Sequence, residues 1–367
     1  MPALATLRRW RDELGDATVL GLVRVAIGLL LFWNGLRAAR ELQHGYFGEV
    51  FHWPMIPEAL VASRNVYWGI VVAQLLLSAL VVAGHRARPA LLASALLGTY
   101  VLLCNRVEFH HNRWALFCQA FLLAFAPCDR SLVVTGVHAG MRTAPHWAAR
   151  LMGAQISVVY LASGGSKLFD PDWRGGQVLL ERFRMFGGGA LDAGVPRAVV
   201  DWMGSAGPAS ALAKVAIATE LFLAVGVWLR GTRVFALWWG LWFHLTIEAT
   251  SRVEGFTWLT LASYAVFVTP DVHARKLLYD SKRTRGRVLA RATTLLDWFA
   301  RFEVRPWQAD ALERGHTVVV VRRDGSHATG VRALAMIARC TPLLFPLWAP
   351  LALAASLTKG GEASAHA

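Results

Sequence analysis

The sequence predicts an all-α integral membrane protein, a bundle of about eight transmembrane helices with a small cytoplasmic C-terminal appendage. Three observations predict this fold class. Hydrophobic residues make up 55% of the 367 residues, and the mean hydropathy is positive. Eight apolar runs approach the roughly 20 residues that a helix needs to cross a bilayer. Arginines gather in alternate connections, as is typical of cytoplasmic loops.

The eight runs follow one another from near the N-terminus, and they cover approximately residues 19–38, 66–83, 90–104, 114–126, 147–162, 209–229, 234–247 and 256–269. The first run contains Arg24 and Asn34, which we expect to face the interior of the bundle because polar groups are costly in hydrocarbon. The third and fourth runs predict a tight helical hairpin whose turn carries His110, His111 and Asn112.

An even number of spans puts both termini on one side of the membrane. The short basic connections then fall on that same side, which the distribution of arginine identifies as cytoplasmic: Arg8, Arg9, Arg11, Arg86, Arg88, Arg130, Arg142, Arg230, Arg233 and the basic run after residue 272. We therefore expect a cytoplasmic N-terminal segment over residues 1–16, without a cleavable signal. The connections around His110, Lys167 and Arg252 are expected on the opposite side.

The character of the chain changes after residue 272. The pattern of Asp271–Phe302 predicts a basic helix lying along the inner membrane surface. Residues 317–321 predict a short strand that turns at Asp324 and Gly325. Residues 333–357 are apolar enough to span, but three prolines four residues apart interrupt the helix, so a ninth span and a surface segment both remain open. The residues from 359 to 367 are expected to be disordered.

Several functional classes are excluded or disfavoured by composition. A net charge of +14 would suit a nucleic-acid partner, but no motif interleaves aromatic with basic residues, and cytoplasmic loops explain the arginines. The four cysteines form no CxxC pair. No HxxH or HExxH spacing occurs, so we predict no metal site. Inverted repeats, which a transporter would show, are absent from the sequence.

The stretch Tyr160–Gly176 places Lys167 at the mouth of a membrane helix, beside glycines and the turn-forming Asp170-Pro171-Asp172-Trp173. We expect Gly164 and Gly165 to loosen the backbone before the lysine. Loss of solvation at the rim of an apolar cavity favours the neutral amine, which can act as a general base. A purely structural alternative is that Lys167 extends to the membrane surface.

The topology brings other ionisable groups toward the same face, and intramembrane ionisable groups are candidates for function. His110 and His111 could relay protons, or they could simply cap the hairpin turn. His244 could act likewise, or it could bond a backbone carbonyl. Glu220 could belong to a site, or it could pair with Lys214 or with Arg24.

Three segments carry a resemblance to a known family. They are VVYLASGGSKLFDPDWRGG, WFHLTIEATSRVEGFTWLTLASYAVFVTP and FHHNRWALFCQAFLLAFAP. Each resembles a segment of vitamin K-dependent gamma-carboxylase. Together they resemble the horizontally transferred transmembrane (HTTM) domain that this enzyme shares with many bacterial proteins. We delimit this domain to residues 17–272.

The resemblance implies roles for individual residues. Lys167 matches the family lysine that acts as base toward reduced vitamin K, and His244 matches a histidine in the Phe-His segment. In the hairpin this chain has His111 before Asn112, the reverse of the family order, and His111 is the nearest match to the family histidine. We predict Lys167, His111 and His244 as catalytic. The expected ligands of a vitamin K-type quinol are His110, Asn112, Trp173 and Glu220.

Residues 273–367 are interpreted as a basic linker helix and a small appendage. Their last part resembles the C-terminal half of a thiol-disulfide oxidoreductase-like domain that lacks its Asp-x-x-Cys start. The predicted function is a membrane enzyme that resembles the carboxylase and uses a bound quinol and a lysine base. The alternative is a non-catalytic quinone- or lipid-binding protein, or a helper in the maturation or export of a secreted peptide. Expected partners are the lipid bilayer, a quinone and a secreted peptide or protein.

Overall fold

The computed structural model describes residues 12–43, 53–107, 109–134, 143–192, 194–251, 253, 255–268, 274–307 and 316–357. The predictions for residues 1–11, Arg142, Arg252 and 359–367 therefore concern positions outside the described residues. The chain forms two compact units. The described residues up to Arg233, with Phe243–Val268, make the first unit, and Val234–Trp242 with the described residues from 274 onward make the second.

The first unit consists of a short two-stranded ladder and a series of helices. In chain order these are β1 (Leu14–Asp16), α1 (Ala17–Gln43), α2 (Arg64–Ala83), α3 (Ala87–Cys104), α4 (His111–Ala124), β2 (Thr143–Pro145), α5 (Trp147–Phe169), α6 (Pro171–Gly175), α7 (Gln177–Asp192), α8 (Arg197–Met203), α9 (Ala206–Gly226), α10 (Arg233–Ser251) and α11 (Phe256–Tyr264). The strands β1 and β2 pair antiparallel.

Each of the eight predicted apolar runs lies on a helix, namely α1 to α5 and α9 to α11. Four of these helices, α1, α2, α3 and α9, are long and apolar enough to cross a membrane. Their outer surfaces expose large apolar side chains, for example Val72, Leu76 and Val225, each more than half exposed. Large apolar side chains exposed on these helices suit contact with lipid. Length and composition together indicate an integral membrane protein.

Pairwise packing of the helices forms the first unit. α1 packs on α2, α3 on α4, and α5 on α9, and α11 packs on α1 and α5. The predicted hairpin of the third and fourth runs is therefore present as α3 and α4. The segment between the fifth and sixth apolar runs, residues 163–208, is largely helical, because it contains the end of α5 followed by α6, α7 and α8.

Arg24 lies fully buried inside the first unit, as its position in an apolar run predicts. Its Nη1 donates to the carbonyls of Val81 (2.7 Å) and Val82 (3.1 Å) at the end of α2. Its Nη2 donates to the carbonyls of Ser131 (3.3 Å) and Leu132 (2.5 Å). One guanidinium thus satisfies carbonyls from two separate segments, which is necessary because an unsatisfied carbonyl in an apolar interior costs free energy.

The second unit contains a four-stranded sheet and the remaining helices. Its elements are residues 234–242 of α10, β3 (Arg275–Tyr279), α12 (Thr284–Leu296), β4 (Phe302–Pro306), β5 (Val318–Val321), β6 (His327–Thr329), α13 (Gly330–Cys340) and α14 (Trp348–Leu357). The strand order is β4-β3-β5-β6, with β3 parallel to β4 and the other pairs antiparallel. Leu277 lies opposite both Val304 and Val320, and the core includes Ile337 and Cys340.

This unit corrects the prediction of one basic helix over Asp271–Phe302. The described part of that segment is a strand, a helix and the beginning of a second strand. The helix α12 buries Gly286, Ala290 and Thr293, and Ala290 belongs to the core beneath the sheet. Its basic composition therefore marks the solvent-facing side of a packed helix. The predicted strand near residue 318 is confirmed as β5. Residues 333–357 fall on α13, a 3-10 turn and α14, so they do not form one continuous helix.

None of the four cysteines forms a disulfide. Cys128, which follows α4, is buried, and this burial raises the pKa of its thiol to about 12. A thiol with such a pKa stays protonated and unreactive at neutral pH. Cys128 therefore packs as a small apolar residue.

We predict that Arg24→Met destabilises the protein by about 3 kcal/mol or more, because several buried carbonyls lose their donor. The measurement is the apparent unfolding midpoint in detergent, compared with wild type. Arg230→Met is the matched control, since Arg230 is exposed and its loss should change stability by less than about 0.5 kcal/mol. Equal midpoints for the two variants would contradict this role of Arg24.

Candidate functional site

Three polar residues share one face of α5. Tyr160, Ser163 and Lys167 are spaced by three and four residues, which brings their side chains onto the same side of a helix. The helix continues through Gly164 and Gly165 to Phe169. The expected loosening of the backbone at the two glycines is thus wrong, and the rigid helix itself places Lys167 in line with Ser163 and Tyr160.

Lys167 forms an ion pair with Glu220 of α9. Its Nζ lies 2.5 Å from Oε1 of Glu220, and the two side chains are 17% and 8% exposed. Ser163 completes a triangle, because its Oγ accepts from the lysine Nζ at 2.9 Å and donates to Oε1 of Glu220 at 3.2 Å. Lys167 therefore does not extend into open solvent. The partner of Glu220 is neither Lys214 nor Arg24, which were the structural alternatives.

A second carboxylate and a proline bring Trp173 back over the lysine. Asp170 ends α5 and caps α6, with its side chain accepting from the backbone N–H groups of Asp172 (2.9 Å) and Trp173 (3.3 Å). Pro171 suits the first position of α6, where no N–H is needed. This tight turn sets the indole ring 4.7 Å from Nζ of Lys167, a cation–π contact.

Two glycines permit the close packing of this corner against α9. Gly176 has φ +86°, and a Cβ there would lie 2.4 Å from the backbone of Ser210. A Cβ on Gly164 would lie 3.1 Å from Leu221 and 3.2 Å from Cβ of Glu220. A side chain at residue 164 would push Leu221 and Glu220 away by a few tenths of an ångström, so Gly164 favours the close packing that brings the Glu220 side chain to Lys167.

One oxygen of Glu220 remains without a donor. Oε2 is buried, and it has no hydrogen-bond partner among the residues that the structure describes. A buried carboxylate oxygen left in this state is costly unless a water or a ligand hydroxyl reaches it. This atom is the point in the cluster at which an additional hydrogen-bond donor is needed.

A buried network of three rings adjoins the same face of α5. The hydroxyl of Tyr160 lies 2.6 Å from Nε2 of His244 and 2.6 Å from the hydroxyl of Tyr264. Thr257 donates to the backbone carbonyl of His244 at 3.3 Å. His244 is fully buried, and its Nδ1 has no partner within the described ranges. The network joins α5, α10 and α11. His244 bonds the hydroxyl of Tyr160, whereas the structural alternative for His244 was a bond to a backbone carbonyl.

The hairpin residues belong to different contacts. Nδ1 of His110 accepts from the backbone N–H of Asn112, so His110 caps α4. The ring of His111 packs edge-on against Phe109. Asn112 lines a small cavity of about 20 Å³, together with Leu30, Trp33, Asn34, Arg113, Leu116, Gly255 and Leu259.

The predicted site residues are therefore divided between two places. Lys167, Trp173, Glu220 and His244 lie with Tyr160, Ser163 and Tyr264 in one group, which we call the Lys167 cluster. The other three lie on the hairpin, where Asn112 lines the cavity and the two histidines do not. Of the two alternatives for His110, the structure shows the cap, and its role toward a quinol stays a prediction.

Sequence reasoning missed three members of the cluster. Ser163, Tyr160 and Tyr264 received no role, although the seven-residue spacing of Tyr160 and Lys167 was a usable signal for one shared face. Tyr264 had no such signal, because its contact with Tyr160 joins residues that are 104 positions apart.

We predict opposite effects for alanine at the two neighbouring glycines. Gly165→Ala should raise stability by about 0.5–1 kcal/mol, because nothing lies within 4 Å of the new Cβ and alanine favours a helix. Gly164→Ala should lose that gain or destabilise, since Leu221 and Glu220 must move. Unfolding midpoints in detergent provide the measurement. Equal stabilisation by both variants would contradict the close approach at Gly164.

The comparisons with known proteins identify one family. A model of the HTTM domain matches residues 13–272, well over half of the chain and the whole of the Lys167 cluster. This is the domain shared with vitamin K-dependent gamma-carboxylase. Neither a curated protein nor a solved structure matches the chain. The chain therefore belongs to the HTTM domain family and is a membrane protein related to gamma-carboxylase.

Proposed function

We propose that this protein is a membrane enzyme that binds a hydroquinone between its helices and removes a proton from it at the Lys167–Glu220 pair. The observation that carries the proposal is the combination of a buried ion pair with a carboxylate oxygen, Oε2 of Glu220, that lacks a donor. Ionisable groups inside a membrane domain are candidates for function, because they are costly to keep in an apolar setting. Membership of the HTTM family supports the same choice.

The chemistry of the cluster fits a hydroquinone. A phenolic O–H needs a base, which the amine of Lys167 offers once its own proton has moved to the adjacent carboxylate of Glu220. The ammonium that forms when the amine takes the phenolic proton then stabilises the phenolate. The indole of Trp173 offers an aromatic face beside the amine. A reduced vitamin K-type quinol supplies the ability to react with oxygen once it is deprotonated, and the family resemblance connects that reaction to carboxylation of a glutamate.

We propose that His244 acts indirectly, by orienting Tyr160. Its bond to Tyr160 fixes the orientation of a ring on the same face of α5 as Lys167. The predicted roles of His110, His111 and Asn112 toward the quinol stay predictions. Those three residues belong to the hairpin and to the cavity around Trp33, and the cluster described above is assembled from α5, α6 and α9 to α11.

The arrangement of the chain in the membrane is also part of the proposal. We place both termini on the cytoplasmic side and the Lys167 cluster toward the other side, because the arginine-bearing connections at residues 86–88 and 230–233 then face the cytoplasm. A glutamate-bearing secreted peptide or protein would meet the site from the non-cytoplasmic side. The bilayer supplies the route for an apolar quinol.

A non-catalytic function is favoured by one observation. Lys167 and Glu220 lie in direct contact and are mostly buried. A purely structural ion pair between α5 and α9 would show the same geometry. In that case the bundle would bind a quinone or a lipid, or would assist the maturation or export of a secreted peptide. Binding of a quinone without turnover under any reductant would favour this function.

The experiment is quinol epoxidation, or incorporation of labelled carbon dioxide into peptide, by the purified protein. We expect Lys167→Ala to lower turnover by roughly 10²- to 10⁴-fold, the usual contribution of a positioned acid–base group. Lys214→Ala is the matched control, because Lys214 is an exposed lysine on α9, and it should stay near wild type. Turnover unchanged by Lys167→Ala would remove the cluster from the reaction.

A further inference from the structure

We infer that residues 342–357 lie within one leaflet of the bilayer, and that arginines beside the start of this stretch bind the phosphates of its anionic lipids. The stretch is the apolar part of the second unit, from the 3-10 turn Pro342–Leu347 through α14. This inference goes beyond the proposed function, because it concerns how the second unit meets the membrane and involves no quinol. It favours the surface segment over the ninth span, the two alternatives that the sequence leaves open here.

The helix α14 has no polar side. Ser356 is the polar residue among its ten, and its hydroxyl donates to the carbonyl of Leu353 at 2.7 Å within the same helix. Ala355 is its buried residue. Four leucines of the turn and the helix are each more than half exposed: Leu343, Leu347, Leu353 and Leu357. A helix that is apolar all round belongs in a protein core or in a membrane, and the exposure of these leucines excludes the core.

A tryptophan compensates for a proline in this stretch. Pro350 has no N–H, so it cannot donate to the carbonyl of Pro346 four residues earlier, as a regular helix would require. Nε1 of Trp238 donates to that carbonyl instead, at 2.9 Å. In water a solvent molecule would satisfy this carbonyl, whereas in lipid the protein has to supply the donor. The contact is therefore what a helix in an apolar medium needs.

The same tryptophan connects the stretch to a predicted membrane helix. Trp238 lies in residues 234–242, the part of α10 that belongs both to the second unit and to the seventh apolar run. Its ring packs edge-on against Trp348, with 6.5 Å between centroids, and Phe345 stacks on Trp348 at 6.1 Å. The next residue on α10, Trp239, is exposed. Clustered tryptophans are typical of the membrane interface, so lipid beside this part of α10 would also cover the stretch.

The helix α14 is too short to cross the bilayer. Its ten residues cover about 15 Å, half of the roughly 30 Å of hydrocarbon. The turn before it contains Pro346 and is wound as a 3-10 helix, so it does not extend α14 as one regular helix. The sequence after α14 carries Lys359 and Glu362, which are costly in hydrocarbon. The helix therefore lies along one leaflet, with its far end near the surface.

The second unit carries the charge that an anionic leaflet attracts. From residue 274 onward, its described residues include thirteen lysines and arginines and four aspartates and glutamates. Basic groups close to an anionic membrane surface are attracted to it. The excess of positive charge favours anionic lipids, such as phosphatidylglycerol, over neutral ones, such as phosphatidylcholine.

Three arginines gather beside the start of the apolar stretch. Arg339 is in the last turn of α13, and Pro342 follows three positions later. The backbone N–H of Arg275 donates to the carbonyl of Arg301 at 3.3 Å. Burial lowers the pKa of Arg339, Cys340 opposes this, and the nearby charges of Arg275 and Arg301 lower the pKa further. Guanidinium groups stay charged in proteins and bind phosphate oxygens well, so an anionic headgroup would relieve their mutual repulsion.

Photo-crosslinking tests what covers α14. Leu353 is replaced by the photoreactive p-benzoylphenylalanine, and the protein is reconstituted in vesicles of equal parts phosphatidylcholine and phosphatidylglycerol. Irradiation should give phospholipid adducts at Leu353, detected by mass spectrometry, and none at the control position Ser281, which is exposed in the turn after β3. The absence of lipid adducts at Leu353, or adducts with a second copy of the chain in their place, would overturn the inference. Leu343 serves in the same way if the Leu353 variant does not fold.

A second measurement tests the arginines. With the photoreactive residue at Leu343, phosphatidylglycerol should exceed phosphatidylcholine among the adducts. Arg339→Gln should bring the ratio of the two lipids close to that of the vesicle. The matched control is Arg305→Gln, an exposed arginine at the other end of β4 from Arg301, which should leave the ratio unchanged. Equal adducts from both lipids without either substitution, or the same ratio in both variants, would overturn the assignment of the phosphates to these arginines.

Protease accessibility separates a helix within one leaflet from a ninth span. One cleavage site is inserted in the exposed turn at Asp324 and Gly325, and another is added after Ala367. In sealed vesicles of known orientation, both sites should be cut from the same side of the membrane. Cleavage of the two sites from opposite sides would show that α14 crosses the bilayer, and would overturn the inference.

Discussion

An ion pair inside an apolar bundle has to be held at short range, because each charge is costly when it is alone away from water. Lys167 and Glu220 meet this requirement through the packing of α5 on α9. Gly164 lets the two helices approach, and Gly176 lets the α6 corner lie against the start of α9. The position of Trp173 over the amine follows from the same corner. The site geometry thus depends on backbone packing as much as on the charged residues themselves.

Other buried polar groups of the first unit are satisfied across helices in a similar way. Arg24 holds carbonyls at the end of α2 and near residue 131, and Tyr160 holds both His244 and Tyr264. These contacts are structural at Arg24, where the acceptors are all backbone. At Glu220 and His244 one side-chain atom of each remains without a partner among the described residues. Nε of Arg24 is likewise without a partner there, so an unpaired atom alone does not mark a site. What distinguishes Glu220 is that its unpaired oxygen belongs to a side-chain ion pair beside a serine and an indole.

Much of the first unit could be predicted from the sequence, because a bilayer-spanning helix leaves a strong local signal in hydropathy. Lys167 could also be singled out, since a lysine after an apolar run is unusual. Its partner could not be found, because Glu220 is 53 positions away and the pairing depends on how α5 and α9 pack. The same limit applies to Tyr264. In the second unit, the strand β3 could not be recognised from the sequence. Its basic residues obscure the strand pattern, and its partner β5 lies about 40 residues later.

The most direct measurement of the central claim is a double-mutant cycle on unfolding in detergent, with Lys167→Met, Glu220→Gln and the double variant. Each single change leaves a buried charge alone, whereas the double change leaves none. We predict that the double variant is less destabilised than the sum of the single variants by about 1–3 kcal/mol, the coupling expected of contacting charged residues. Additive effects within about 0.5 kcal/mol would show that the two residues do not interact, and would contradict the account.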